Sequence, residues 1–565
     1  MPWFSSYPER SVQDIRDEYD YIIVGGGTAG CVLASRLTED ASVSVLLVER
    51  GSLKAGWLSR IPLLSSHFAS DGSSTRIVTS TPQEHVNGRS FPIAGGNSLG
   101  GASKINAMLY TRGLPGEYNA WSQAGREGWS YGEIQPYFIK SETDLDQDPQ
   151  ASQSIHGVAG PWKNRSYGKA YWGHTAPLTS LLDRIIEASK ALGVPYVDDL
   201  NSPLHPSHGC AKMHFNIDAS GRRSSALTGF LPPDLVTQRQ RHLHVCTNTV
   251  VLRIDIQRGE KGLKAEGVND RLSGVGPAEH LKEHDIPVMK DLPNVGSHLQ
   301  DHLGVALQYR VPLHDSVARL QAQPWSIIKE FFLWLFFGMG LLLGPVLELS
   351  VFVQTRLFDS NFRTVTPTPT DEDSSLPMNL PDIEIMPIAW SDAATAKAKR
   401  NGGLAFLVVI LRPESTGTVR LASSDPRADP LVDPAYLSST HDRAVLRQGL
   451  RFGLRLGEQT AAQGYPIAPH LIPPSEGDED MDRFVRDEAQ TTYHYSSTCR
   501  MAPEVEGSTM GGVVDDRLRV HGVQGLRIAD SSVFPHILST HLAAATVAVA
   551  EKCADMIRQD HSSDE

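Results

Sequence analysis

Apolar positions follow three distinct patterns along the chain. Near the N-terminus a short unbroken apolar run, Tyr21 to Val24, is followed by Gly25, Gly27 and Gly30, then by "CVLASRL" with helical periodicity. A second run, Val43 to Val48, ends in Glu49. Unbroken runs of this length suit strands buried on both faces of a parallel sheet, so the stretch predicts a β-α-β unit. At the other end, "GLRIAD" (525–530) predicts a strand ending in an acid and "SSVFPHILST" a loop. "HLAAATVAVAEKCADMIRQ" then predicts a helix beginning near His541, with Val547, Ala550, Ala554 and Ile557 on one face and Ser539 or Thr540 as its cap. The third pattern is "FFLWLFFGMGLLLGPVL" (331–347), apolar throughout but short for a membrane span and interrupted by glycine and proline. A buried helix or a substrate-channel wall is expected there.

The glycines of the first unit each have a mechanical reason. Gly25 allows a tight turn, Gly27 lets backbone approach a pyrophosphate, and Gly30 lets the helix pack on the strand. The helix start at Thr28 and Ala29 offers unpaired N–H groups to phosphate oxygens. Glu49 stands 19 positions beyond Gly30, where a carboxylate can accept hydrogen bonds from ribose hydroxyls. This unit does not separate NAD from FAD. The segment "GGNSLGGASKINAMLYTRG" (95–113) is rich in glycine and small polar residues. It reads either as backbone lying against a flat ring, with Asn106 offering its amide, or as a surface loop.

A chain of 565 residues exceeds what one core organises, so two domains or a body with a second lobe is expected. The net charge of -13 removes the electrostatic reason to bind nucleic acid or anionic membrane, which leaves a small-molecule ligand. Five scattered cysteines, none spaced C-x-x-C, argue against a disulfide framework and a zinc site and point to a reducing compartment. Neither a signal peptide nor a peroxisomal ending is visible, so a cytoplasmic location is expected.

"YHYSSTCRM" (493–501) gathers His494, two serines, a threonine and Cys499. Such a cluster serves a hydrolase, a metal site or the base of another reaction. No strained G-x-S-x-G elbow accompanies it, and Cys499 reads as a small packed side chain. "HLKEH" (280–284) is not H-E-x-x-H and reads as a solvated helix face. "NRS" at Asn164 is a lone glycosylation sequon that, without a signal peptide, reads as chance.

Taken together, "VGGGTAG…LLVERG", "GGASKINAMLYTRG…YNAW…GWSYGEIQPYFIKSE", "VGSHLQDH", "TGTVRLASSDPRADPLVDPAYL" and the tail from His494 through "AEKCADMI" resemble the glucose-methanol-choline (GMC) family of FAD-dependent alcohol oxidoreductases. The resemblance implies an α/β (α+β) protein: a Rossmann-like FAD-binding domain formed by 1–150, 215–302 and 505–565, with an inserted substrate-binding domain, 151–214 and 303–504, built on an antiparallel sheet. It implies that Gly25, Gly27, Thr28, Ala29, Gly30 and Glu49 hold the ADP half of FAD. Gly100, Gly101, Asn106, Ala107, Met108 and Leu109 pass the flavin, Val251 touches adenine, and Asp530 and Leu542 lie along the cofactor. His494 and His541 match the family's catalytic pair, with His494 as base and His541 as partner; the second position is often Asn in relatives. The histidines of "HLQDH" (298–302) read as structural within a family turn. Tyr495 stands where relatives have Pro. Ile105 occupies the position of the histidine that links flavin in some members, which implies non-covalent FAD.

The implied activity is oxidation of the CH–OH group of a small hydrophobic or aromatic alcohol by hydride transfer, with oxygen or another electron acceptor. A redox-neutral lyase or cyclase is the alternative. One departure is larger than the rest. After "LKAEGV" relatives carry an apolar strand and a Gly/Ala turn, whereas here Val268 passes almost directly to Ser273. Loss of that strand would bare a neighbour's hydrogen-bonding edge, so either another segment fills the gap or the chain is a variant disabled in part, through folding or FAD affinity.

Overall fold

A computed structural model describes all residues except 1–6, 54–56, 65–73, 148–154, 167–178, 261, 270, 271, 317, 319, 321, 322, 338, 339, 345, 346, 391–400, 506, 509 and 565. The N-terminal unit folds as the start of a parallel sheet: strand β1 (Tyr21–Val24), helix α1 (Thr28–Leu37) and strand β2 (Val45–Val48), joined by strand β3 (Leu243–Cys246). The order is β1-β2-β3, all parallel, with Ile23 opposite Leu47 and Leu47 opposite Val245. Among the described residues no strand pairs with the outer edge of β1. Ile22 and Val24 are 37% and 52% exposed, which is unusual for a strand of an apolar parallel sheet.

The cause lies at the junction read as shortened. Strand Gly262–Asn269 pairs antiparallel with Arg253–Gly259, and Ser273 Oγ then accepts the N–H of Ile254 at 2.9 Å. Ser273 thus lies back against Ile254, and the described residues of this junction contribute no strand beside β1. For the same reason "GLRIAD" is not a strand: Arg527 makes only an isolated bridge to Arg519, while Val523–Gln524 pairs in parallel with Leu263 and Lys264. An apolar run becomes a parallel strand only where a neighbour offers a ladder, and among the described residues that neighbour is missing.

The inserted lobe is a seven-stranded antiparallel sheet in the order 468–471, 303–312, 401–410, 383–390, 349–353, 209–212, with 489–491 also pairing with 303–312. Helix α2 (Pro324–Phe337) follows this sheet's first long strand and stands partly in solvent, contrary to the expected buried helix. Helix α3 (Thr440–Ala462) lies flat on the sheet because Gly449, Gly453 and Gly457 face it. A Cβ at these positions would come within 2.8 Å of Ile383, 2.8 Å of Leu307 and 2.6 Å of Tyr309. The chain then returns to the first lobe through helix α4 (Ala543–Asp564), which packs against α1 and is tied to it by Arg36 on Glu551. Neither Ser539 nor Thr540 caps α4; the helix begins at Ala543, and the Ser539 hydroxyl is buried without a partner among the described residues.

Two apolar cores result. One joins Ile23, Val32, Val45, Trp121, Val245 and Val547; the other joins Leu182, Val305, Val351, Ile385, Val408 and Leu450. Ile61, Phe91, Met108 and Leu109, early in the chain, pack into the second core, and Trp162 packs into the first, so the two lobes interlock. A buried polar knot reinforces the join. The Arg112 guanidinium meets Glu142, whose carboxylate also takes His156 Nδ1 at 3.0 Å and the Asn164 amide at 2.9 Å, and His156 Nε2 lies 2.9 Å from Asp199. Asn164 is fully buried in this knot, so its sequon is not a surface acceptor.

Candidate active site

The β1–α1 turn is shaped by close backbone contact. A Cβ on Gly30 would sit 2.0 Å from the Gly25 carbonyl oxygen, so only glycine lets the helix approach. Gly25, at φ +96°, and Gly27, which precedes the first turn of α1, are different: a Cβ added at either would have no atom of the described residues within 4 Å. Both border open space at the helix N-terminus beside Thr28 and Ala29. Glu49 closes the turn: its carboxylate accepts Gly26 N–H at 2.7 Å and Gly51 N–H at 2.6 Å. A carboxylate has about four acceptor positions, so two remain for a ligand.

The 95–113 segment docks on this turn. Gly100 N–H donates to the Gly26 carbonyl at 2.7 Å, and a Cβ on Gly101 would meet Gly27 Cα at 2.6 Å. The glycine pair thus packs backbone on backbone within the protein. Asn106 turns inward: its Oδ1 accepts Met108 N–H at 3.1 Å and the Arg223 guanidinium at 2.8 Å, which holds Met108 at φ 65°. Ala107 is half-buried, and Leu109 pairs with Phe215. Val251 joins Leu46, Val48 and Cys246 in a small apolar cluster. Asp530 is exposed and accepts Ser532 N–H, capping a short turn, and Leu542 is buried just before α4.

The two histidines, 47 positions apart in sequence, meet edge to face with ring centroids 5.3 Å apart. A third ring completes the group: His302 Nδ1 lies 2.9 Å from His494 Nδ1. The backbone of His494 is fixed by Asp301, which accepts its N–H at 2.7 Å and also takes the hydroxyls of Tyr436 and Thr491. The Thr492 hydroxyl donates to the His302 carbonyl at 2.9 Å and lies 3.2 Å from His494 Nδ1. On the other ring, Thr111 Oγ1 accepts His541 N–H at 3.3 Å and lies 3.2 Å from His541 Nδ1. Among the described residues His541 Nε2 is buried without a hydrogen-bond partner, 3.8 Å from Glu384 Oε2, and Glu384 Oε1 takes the Ser350 hydroxyl at 2.6 Å.

Desolvation by the enclosing protein, with His541 alongside, pushes His494 down to about 3, and burial pushes His541 down to about 4. Both imidazoles are therefore neutral at neutral pH, and they lie well below the near-neutral value expected of a free histidine. Burial raises the Glu384 carboxyl to about 7. Sequence reasoning missed Glu384, Thr111, Thr492 and the part played by His302. His302 had a local signal, the "DH" next to a glycine turn, and Thr492 stands two positions before His494; Glu384 and Thr111 are joined to the histidines only through the fold. The histidines of the 280–284 segment, His280 and His284, contact edge to face at 4.9 Å, and His280 Nε2 accepts Leu421 N–H.

Comparison with known proteins gives one answer. The N-terminal and C-terminal GMC oxidoreductase family profiles match residues 19–271 and 413–550. A dehydrogenase of Strobilurus tenacellus, str4, is 32% identical, covering 96% of this chain and 94% of its own length. An oxygen-dependent choline dehydrogenase of Pseudomonas savastanoi is 33% identical over the same shares. Among solved structures, an FAD-dependent oxidoreductase from Chaetomium thermophilum superposes with a TM-score of 0.81 at 26% identity, covering 96% of this chain and 100% of that one. A fungal aryl-alcohol oxidase has the same fold, with a TM-score of 0.78 over 97% of this chain at 22% identity. The alignment to the Strobilurus enzyme runs over 602 positions, more than the 565 residues here, so that relative has segments this chain lacks. The N-terminal profile match stops at residue 271, inside the shortened junction.

Proposed function

Because the chain belongs to the GMC oxidoreductase family of FAD-dependent enzymes acting on CH–OH groups, we propose that it oxidises an alcohol across the His494–His541 pair. The residues fit the cofactor. The space at Gly25 and Gly27, the N-terminus of α1 and the spare acceptor positions of Glu49 suit an ADP moiety, and the buried, unpartnered His541 Nε2 marks a place where a ligand atom is wanted. Bound FAD would supply the two-electron acceptor for a hydride. Non-covalent binding follows from Ile105, which has no nucleophilic atom.

The observation that carries the reading is the assignment of donors and acceptors around the two rings. Thr492 donates its hydroxyl proton to the His302 carbonyl, so its contact with His494 Nδ1 has the ring as donor. On this assignment His494 carries the proton that its Nδ1 directs to Thr492 Oγ1 and to His302 Nδ1, 2.9 Å away, and keeps a lone pair on Nε2. Thr111 Oγ1 accepts the backbone N–H of His541 and keeps its own proton to give, and with that proton directed at Nδ1 the ring is protonated at Nε2. One ring thus offers an acceptor and the other a donor, which is what a hydroxyl group needs to be held and deprotonated. His494 Nε2 takes the hydroxyl proton while His541 Nε2–H holds the oxygen. His494 is neutral at neutral pH and so is free to accept the hydroxyl proton.

The test is anaerobic mixing of FAD-loaded protein with a panel of aliphatic and aryl alcohols, read as bleaching of the flavin absorbance. His494→Ala should slow bleaching by about 10²- to 10⁴-fold with FAD content unchanged. Conversion of an alcohol without bleaching would replace this reading with redox-neutral chemistry.

A further inference from the structure

The acid beside the two rings has no counter-charge. Glu384 stands on strand 383–390 with Phe352 and Val409 opposite it on the neighbouring strands, and it is 1% exposed. Among the described residues its carboxyl meets the Ser350 hydroxyl and His541, and neither Lys nor Arg pairs with it. A buried carboxylate without a cation is costly, so the group keeps its proton. Burial raises it to about 7.

With the Ser350 hydroxyl directed at Oε1, 2.6 Å away, the carboxyl proton falls to Oε2, the oxygen 3.8 Å from His541 Nε2. On the tautomer assigned above, Nε2 carries a proton as well, and among the described residues it has no acceptor. Two donors therefore face each other at a distance too long for a hydrogen bond between them. An oxygen about 2.8 Å from each would see them about 85° apart, so one ligand oxygen can take both. A neutral acid in a desolvated site donates to a developing negative charge without adding one of its own, whereas a carboxylate there would repel it.

We propose that Glu384, as a neutral acid, is a second hydrogen-bond donor beside His541 to the substrate oxygen while that oxygen turns from hydroxyl to carbonyl. The assignment rests on the reading of the His494–His541 pair given above. Glu384 shares its proton in a hydrogen bond and keeps it, so the balance of the oxidation is unaltered: the hydroxyl proton goes to His494 Nε2 and the hydride to bound FAD.

Two measurements on the FAD-loaded chain test it. In the first, Glu384→Leu should slow alcohol-driven flavin bleaching by about 10²-fold or more, and Glu384→Gln, whose amide is a weaker donor, by about ten-fold. The parent rate should fall as pH rises through about 7, and this fall should vanish in Glu384→Gln. The titratable groups facing Glu384 are His541 and, behind it, His494 and then His302, and burial holds all three neutral across that range. Glu117 and Asp301, buried acids raised to about 7 and about 6 that reach Ser539 and His494 through backbone N–H groups, would give a fall that Glu384→Gln does not remove. In the second, equilibrium dialysis follows binding of 4-nitrophenol, which has no carbinol hydrogen to give and whose ionised oxygen stands in for the alkoxide. Glu384→Leu should weaken its binding about ten-fold and Glu384→Gln by less. Glu384→Gln still accepts the Ser350 hydroxyl, so its results stand even where Glu384→Leu does not fold. The proposal fails if Glu384→Gln keeps the pH fall, if Glu384→Leu bleaches and binds as the parent does, or if the parent does not bind 4-nitrophenol. Should no alcohol bleach the parent's flavin, the alcohol reading falls, and dialysis alone then decides whether Glu384 donates to a ligand oxygen.

Discussion

The Thr492 hydroxyl lies 3.2 Å from His494 Nδ1 and directs its proton at the His302 carbonyl, 2.9 Å away. In the proposed assignment this contact, across a single tyrosine, helps decide which nitrogen of the ring is bare. Thr492→Val should release the tautomer and lower the rate of alcohol-driven flavin bleaching roughly ten-fold or more, whereas Thr492→Ser should retain most of it. Equal FAD content in both variants, read from the flavin-to-protein absorbance ratio, shows that the change lies in the chemistry. Equal rates would show that Thr492 does not set the tautomer.

Glu384 makes a prediction about pH. Its folded carboxyl keeps the proton up to about 7, while in the unfolded chain it ionises near the ordinary value of 4.5. As pH rises through that window the unfolded state releases a proton that the folded state retains, so rising pH favours unfolding. Glu384→Gln removes this penalty and still accepts the Ser350 hydroxyl. The variant should match the parent chain near pH 4 and exceed it by about 3 kcal/mol at pH 8, measured by denaturant unfolding at both values. A difference that does not depend on pH would contradict the raised carboxyl.

The two ends of the glycine turn should respond differently to a methyl group. Gly30→Ala drives Cβ into the Gly25 carbonyl and should disrupt the β1–α1 packing, lowering the melting temperature of the FAD-free protein. Gly27→Ala meets no atom of the described residues, so it should leave that melting temperature alone and weaken FAD binding by roughly ten-fold, because the methyl lies where backbone must approach the pyrophosphate. Titration of the FAD-free protein with FAD distinguishes the two.

The open side of β1 should show itself in self-association. Ile22→Lys should reduce light scattering of concentrated protein without shifting its melting temperature, because a charge on an exposed edge opposes strand addition from another chain. Inserting an apolar strand and a Gly/Ala turn between Val268 and Ser273 should raise FAD retention through purification by about ten-fold or more, if the missing wall limits cofactor binding.

What the sequence made legible was local. The spacing of Gly25, Gly27, Gly30 and Glu49 specified a turn that closes within one β-α-β unit, and the junction after Val268 was short enough to show that something was absent. What it concealed was pairing across the fold. Glu384 and His541 are far apart in the chain and meet only because the antiparallel sheet delivers one and the approach to α4 the other. "GLRIAD" carries a good strand pattern, yet a strand needs a neighbour, and pattern alone does not report whether one exists. In α2 the apolar content was plain, but which side faced outward depended on Glu330 finding the Leu341 amide inside.

The knot around Glu142 has a consequence for where the molecule is held most firmly. Arg112 follows Thr111 directly, so whatever grips the guanidinium also steadies the hydroxyl that touches His541. Arg112 and its neighbours hold Glu142 down to about 2, a contribution complete above 4.5 and lost as acid takes the pH toward 2. Asp199 and Glu142 raise His156 to about 9, a contribution complete below 6.5 and lost as alkali takes the pH through 9. The clasp between the lobes is therefore tightest in mildly acidic surroundings, and an alkaline medium loosens the segment that carries Thr111 while both imidazoles, already neutral, keep their charge state.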